Sequence, residues 1–399
     1  MALLERLGRL LDRRRVLAYS AMLLAAEIIV SGYLVAASYG VFRPTSGPVT
    51  TDFVSFYAAG SLADSDAPER AYHPADHFRA EQQAREPGIE YNYFYYPPVF
   101  LLLCAVLARL PYIVAFFIFE GVTLALFLLV MTKILGEAGW APIVIVLAFP
   151  VVFWNFGWGQ NGFLTAGLIG AGTLLLDRRP ILAGLLFGAV CYKPHFGLLI
   201  PVALASGRHW RAFAAASVSV IALVVLSVAV FGTATWRDFF TSALASHATY
   251  ETGGAKFSAY VTPFGAVMLI GGSLAVAYAV QAVAAIAAIS LVVFIWSRGL
   301  SLPLRAATLI AATLVAVPLA LFYDLLLAAI AVAWLCRSEN GLRPTERAVL
   351  AACYLVLVYP VDIARVLHLP IAPAAAFAVL IITASHAFRE VQNERRLSA

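Results

Sequence analysis

The chain has 399 residues, 62% of them hydrophobic and 12% charged, with a mean hydropathy of +0.87. A soluble globular chain carries roughly 25% charge, so a water-soluble multidomain enzyme, a disordered chain, a collagen and a coiled coil are all excluded. The net charge of +5 comes from 27 basic residues, nearly all Arg, against 22 acidic ones. They are scattered over several short segments, which reads as membrane topology and gives no nucleic-acid surface.

A spanning helix needs about 20 mostly apolar residues, which leaves room for roughly ten to twelve helices. The predicted fold class is an all-α polytopic membrane protein, a transmembrane helix bundle with short and broken spans. Residues 1–15, MALLERLGRLLDRRR, are Arg-rich and are expected in the cytoplasm. Residues 16–388 form one transmembrane domain, opening with an uncleaved helix from Val16 to about Tyr39, and residues 389–399 form a cytoplasmic tail. The extracytoplasmic loop, 41–96, has a polar part, Val41 to Asn92, with eight acids against four arginines; it ends in the aromatic YNYFYYPP, which suits the headgroup level. Several later apolar runs have fewer than 17 residues, a length tolerated where the ends are buried in protein or line a wet cavity.

One run, Ile181–Ala205, lies between Arg178 and Arg208, and both arginines belong on the cytoplasmic side. The run must therefore turn back on itself. Its centre is Tyr192-Lys193-Pro194-His195, where Pro194 interrupts the helix ladder and Lys193 cannot face lipid. A re-entrant hairpin with Lys193 at its tip satisfies both constraints.

Chemistry-bearing residues are few. Asp52, in TTDFVSFYAAG, stands at a helix start, either as a simple cap or as a reactive carboxylate; Thr50 or Thr51 can cap the same turn. Lys193 and His195 flank the proline break. Gln160 and Asn161 sit in FGWGQNGF, between glycines that allow close backbone approach. Tyr323 and Asp324 interrupt the apolar LALFYDLLLAA, a carboxylate that suggests a lined cavity. Glu27, Glu120, Asp362 and Arg365 are further charges at or near membrane depth, and the last two have the i,i+3 spacing of an ion pair. The four cysteines, Cys104, Cys191, Cys336 and Cys353, lack CxxC spacing and read as reduced thiols. No metal cluster and no nucleotide motif is visible, so no cofactor is expected.

Five segments in order carry a resemblance. They are DFxxxYxAG from Asp52, the YPP of Tyr96-Pro97-Pro98, the GQN of Gly159-Gln160-Asn161, the KP of Lys193-Pro194 followed by Arg208-His209-Trp210-Arg211, and the YDLLL from Tyr323. Over about Val16 to Leu335 the chain resembles glycosyltransferase family 87, the polyprenyl-phosphate-sugar-dependent transferases with the GT-C membrane fold. The resemblance implies transfer of a hexose, commonly mannose, from a lipid monophosphate carrier to a lipid or glycan acceptor, with Asp52 as catalytic base. One departure is plain: a His common in the family's mannosyltransferases has no counterpart in Pro318 to Asp324.

The residues themselves agree with that chemistry. Asp52 on the outer face can deprotonate an acceptor hydroxyl, and Lys193 with His195 can neutralise the departing phosphate. Gln160, Asn161 and Tyr57 can orient hydroxyls, and Tyr323 and Asp324 can line the sugar site. With one carboxylate clearly at the site, a single inverting displacement is expected, at the extracytoplasmic face of a bacterial plasma membrane. The rival classes are a transporter or flippase of lipid-linked sugars, which would favour internal repeats, and a non-catalytic scaffold, which would not need Asp52 and Lys193 together.

Overall fold

The computed structural model describes residues 2–38, 51–85, 89–137, 139–251, 256–339 and 341–397. Residues 41–50 of the expected outer loop, Thr50 among them, lie outside the described residues, as do 398 and 399 of the expected tail. Among the described residues the secondary structure is helical, with one isolated antiparallel bridge between Tyr260 and Leu321.

In chain order the α-helices are α1 (Ala2–Leu10), α2 (Arg13–Ser38), α3 (Phe53–Ala63), α4 (Pro74–Ala84), α5 (Pro98–Ala108), α6 (Tyr112–Leu135), α7 (Trp140–Leu147), α8 (Pro150–Trp158), α9 (Gly162–Leu175) and α10 (Pro180–Ala189). They continue with α11 (Pro194–Gly197), α12 (Leu199–Ser206), α13 (Trp210–Glu251), α14 (Pro263–Leu269), α15 (Leu274–Ser297), α16 (Leu302–Ala316), α17 (Leu326–Cys336), α18 (Pro344–Val356), α19 (Pro360–Leu367) and α20 (Ile371–Leu397).

Five helices, in α2, α6, α13, α15 and α20, are long and apolar enough to cross a membrane, and the count is seven if two bent pairs each make one span. The bent pairs are α7–α8, at 65°, and α18–α19, at 86°, and each breaks at a proline, Pro150 and Pro360. A proline cannot donate to the preceding turn and pushes the residue before it out of helix geometry. Among the described residues seven shorter apolar helices, of 10–17 residues, accompany them. Two of them form the centre of the bundle: Leu304 to Val315 of α16 are all buried, as is most of α17. They are apolar because protein surrounds them, whereas α13 turns Val218, Ile221 and Val225 outward, where lipid would lie.

The run from Arg178 to Arg208 doubles back. The Arg305 guanidinium binds Asp177 at 2.9 Å and His209 at 2.7 Å, so both ends of the run meet at one side chain. Between them the chain passes through α10, a 3-10 turn over Val190–Tyr192, and α11–α12. Lys193, at φ −130° and ψ 68°, is the break at the tip. Asp362 and Arg365 pair with each other at 2.8 Å on exposed α19.

Candidate active site

The N-terminal end of α3 is held by aromatic packing. Phe53 is fully buried, with ring centroids 5.5 Å from both Tyr112 and Phe116 and 5.8 Å from Phe119. One turn on, Phe56 meets Tyr96 at 5.3 Å and Phe100 at 5.1 Å, edge to face. At Gly60 the backbones of α3 and α5 nearly touch, for a Cβ there would lie 2.1 Å from the Cys104 carbonyl oxygen. Asp52 thus projects from a rigid base. It occupies the N-cap position, yet its backbone is already helical and its side chain makes no capping hydrogen bond. Thr51 does not cap either; its hydroxyl is 3.2 Å from that of Tyr112.

The partner of Asp52 comes from the glycine turn between α8 and α9. Gly159 is left-handed, at φ +64°, and a Cβ there would sit 2.6 Å from Cβ of Phe53. Asn155, fully buried, clamps this turn: its amide donates to the Gln160 carbonyl at 3.0 Å and its oxygen accepts from the Gly162 N–H at 3.0 Å. Held so, Gln160 Nε2 donates to Asp52 Oδ2 at 2.5 Å. Burial pushes the Asp52 carboxyl up to about 6 from its ordinary 3.8, while the Gln160 hydrogen bond pulls the other way.

Across the cavity the Lys193 ammonium, 4% exposed, donates to Asp324 Oδ1 at 2.6 Å and to Asn161 Oδ1 at 3.2 Å. It also lies 5.0 Å from the Phe196 ring centre and 5.4 Å from that of Tyr323. Asp324 Oδ2 accepts the Leu321 N–H at 3.0 Å, so this carboxylate caps a 3-10 turn and neutralises Lys193 together. Asn161 Nδ2 is buried and finds no hydrogen-bond partner among the described residues. A cavity of about 360 Å3 brings Asp52, Gln160, Lys193, His195, Tyr323 and Asp324 into one wall system. On the far side of the tip, Pro194 also lines a second cavity, of about 430 Å3, whose other walls include Phe187, Leu204, Phe213, Val220 and Ile221. Charged and amide side chains stand in the wall of the first cavity, apolar ones dominate the second, and Pro194 lines both.

A family model, glycosyltransferase family 87, matches residues 94–322. The chain belongs to glycosyltransferase family 87. No curated protein and no solved structure matches it. In this family 87 glycosyltransferase the matched stretch carries Gln160, Asn161, Lys193 and His195; Asp52 precedes it and joins it through the Gln160 hydrogen bond, while Tyr323 and Asp324 follow its end.

The expected site residues do not all converge. Tyr57 is turned away from the cavity: its hydroxyl donates to the Leu110 carbonyl at 2.8 Å, because a helical residue five positions after Asp52 cannot share its direction. The expectation of a single carboxylate also changes. Asp324 joins Asp52 on the cavity wall, with both its oxygens engaged, by Lys193 and by the Leu321 N–H.

Four supports were not legible in the sequence. Asn155 stands five residues before Gln160. Tyr192, next to Lys193, lines the cavity and lies 2.6 Å from the Thr165 hydroxyl. His77 and Glu81, one turn apart on α4, are both fully buried behind α3: His77 Nε2 lies 3.0 Å from the Ser55 carbonyl, and Glu81 accepts the Asn92 N–H at 3.1 Å. Burial lowers His77 to about 4 and raises Glu81 to about 8, so it favours the neutral form of each. Among the described residues no group of three or more His, Cys, Asp or Glu side chains could hold a metal ion.

Proposed function

We propose that this glycosyltransferase moves a hexose, mannose foremost, from a polyprenyl-phosphate-sugar donor to a lipid or glycan acceptor at the extracytoplasmic face of a bacterial plasma membrane, without a metal or other cofactor. The observation that carries this reading is the presence of a half-buried, non-capping, Gln160-oriented Asp52 and the Lys193 ammonium in one cavity. An acceptor hydroxyl gives its proton to the Asp52 carboxylate while its oxygen attacks the anomeric carbon. The bond from that carbon to the phosphate oxygen breaks, its electron pair stays on the phosphate, and the anomeric configuration inverts.

Lysine has three N–H donors, of which Asp324 and Asn161 take two. The third suits a phosphate oxygen, with His195 beside it. The largely apolar cavity beyond Pro194 suits the first isoprene units of the carrier, which would put the phosphate at the tip of the hairpin, between water and lipid. Gln160 and Tyr323, on the cavity wall, would orient sugar hydroxyls; Asp324 and the fully buried Asn161 would act through Lys193, which both of them hold, and Tyr57 is assigned no such contact.

The test is transfer of radiolabelled sugar from a polyprenyl-phosphate-mannose donor by the purified protein in detergent. Appearance of labelled product together with free polyprenyl phosphate supports the reading. Movement of intact donor across proteoliposomes, with no cleavage of the sugar–phosphate bond, would replace it with the flippase.

A further inference from the structure

A third cavity, of about 110 Å3, shares Tyr93 and Tyr95 with the first. Both cavities lie between the extended segment before α5 and the C-terminal part of α13: Phe239 and Ala243 face the first, Ser242 and Ala245 the other. The two adjoin at Tyr93 and Tyr95, and the smaller forms a trough beside the cavity that holds Asp52.

Its wall is a ladder of tyrosines. In an extended chain residues i, i+2 and i+4 share a face, and Tyr91, Tyr93 and Tyr95 do so here. The ring centroids are 4.6 Å apart for Tyr91–Tyr93 and 5.3 Å for Tyr93–Tyr95, the second pair nearly parallel at 8°. The ladder is braced from behind, with Phe78 5.5 Å and His77 5.7 Å from Tyr91. Tyr93 is 48% exposed. Rings serving only as headgroup-level anchors have no need of mutual stacking or of a cavity between them and a second helix.

Resting on the transferase reading above, we propose that this trough is an acceptor subsite, and that the acceptor is a glycan whose sugar next to the reacting one lies against Tyr91 and Tyr93. A pyranose has apolar C–H faces and a polar hydroxyl rim. Tyrosine offers the matching pair, an apolar ring and a polar tip. The contrast with the cavity beyond Pro194 assigns the two arms. Leucine, isoleucine, valine and phenylalanine predominate there, beside Ser217, and fit a hydrocarbon chain, whereas Tyr72, the tyrosine ladder and Ser242 here, with Pro74 and Ala245 between, fit a carbohydrate.

The experiment compares octyl glycosides carrying one, two and three mannoses as acceptors, with a short-chain isoprenyl-phosphate-mannose donor. For the wild type, kcat/KM should rise from the one-sugar to the three-sugar acceptor. In Tyr91→Ala the ratio of the two should fall about three- to tenfold. Tyr91→Phe keeps the ring and should keep the ratio. Ser242→Trp fills the trough from the α13 side and should lower the ratio independently of any folding defect at Tyr91. A flat series in the wild type, or an unchanged ratio in both Tyr91→Ala and Ser242→Trp, overturns the subsite. If the wild type transfers nothing, saturation-transfer NMR with the same three glycosides decides. Saturation of the three-sugar ligand that weakens in Tyr91→Ala supports the trough and counts against the transferase reading with this donor. Saturation confined to the octyl chain overturns the trough.

Discussion

Lys193 and Asp324, 131 residues apart in sequence, form a 2.6 Å ion pair in which both side chains are at most 5% exposed. The pair joins the tip of the re-entrant hairpin to the turn before α17, and so closes the floor of the cavity. Removing one member of such a pair leaves a buried charge uncompensated, which typically costs about 3–5 kcal/mol. Asp324→Ala should therefore melt well below the wild type, while the double variant Lys193→Met/Asp324→Leu should recover most of that loss and still fail to transfer sugar. Equal melting temperatures for single and double variants would show that the pair carries no such charge penalty.

The donor phosphate tests the same lysine from the other side. A charge contribution survives Lys193→Arg in part but not Lys193→Gln. Donor affinity, measured by competition with a non-transferable lipid phosphate, should follow wild type, then Arg, then Gln. A Gln variant binding as tightly as the wild type would remove Lys193 from the phosphate site.

Asp52→Asn separates a base from a cap. Asn caps a helix about as well as Asp, but it cannot accept a proton, and general-base help is typically worth about 10²–10⁴-fold. Turnover should fall by that order with donor binding retained. Stability should move the other way. Burial pushes Asp52 up to about 6 from its ordinary 3.8, so the fold favours the neutral form and loses stability as the pH rises through that window. At 1.36 kcal/mol per unit, Asn should relieve up to about 3 kcal/mol at pH 7. A variant both inactive and more heat-resistant is expected; near-normal turnover would sink the catalytic role.

The rate should also follow the charge on Asp52. Only the carboxylate accepts a proton, so kcat should be lost as the pH falls through about 6 and reach its plateau above it. Gln160→Leu removes the hydrogen bond that favours the ionised form, so its profile should shift to higher pH. A Gln160→Leu profile that shifts down, or does not shift, would mean that another group sets the limb.

Sidedness is tested at Ser65, exposed just after α3. In a variant with cysteines elsewhere replaced, Ser65→Cys should react with a membrane-impermeant maleimide in intact cells. Labelling only after lysis would place Asp52 and the cavity on the cytoplasmic face.

Composition and local pattern alone determined that the chain is a helical membrane protein. Charge and proline at one place, with Arg178 and Arg208 flanking a run that could not cross, determined the hairpin with Lys193 at its tip, because lipid tolerates neither a free ammonium nor an open backbone. What one helix does locally is written in its own residues, and so the GQN turn and the start of α3 were also legible. Partnership was not. That Gln160 reaches Asp52, that Asp324 neutralises Lys193, that Asn155 clamps the turn and that Tyr57 bonds to Leu110 all depend on how helices distant in sequence lie against one another. Which apolar helices lie inside the protein was likewise decided by packing. A residue buried in protein and one buried in lipid are equally apolar, so α16 and the lipid-facing face of α13 read alike until the tertiary structure separates them.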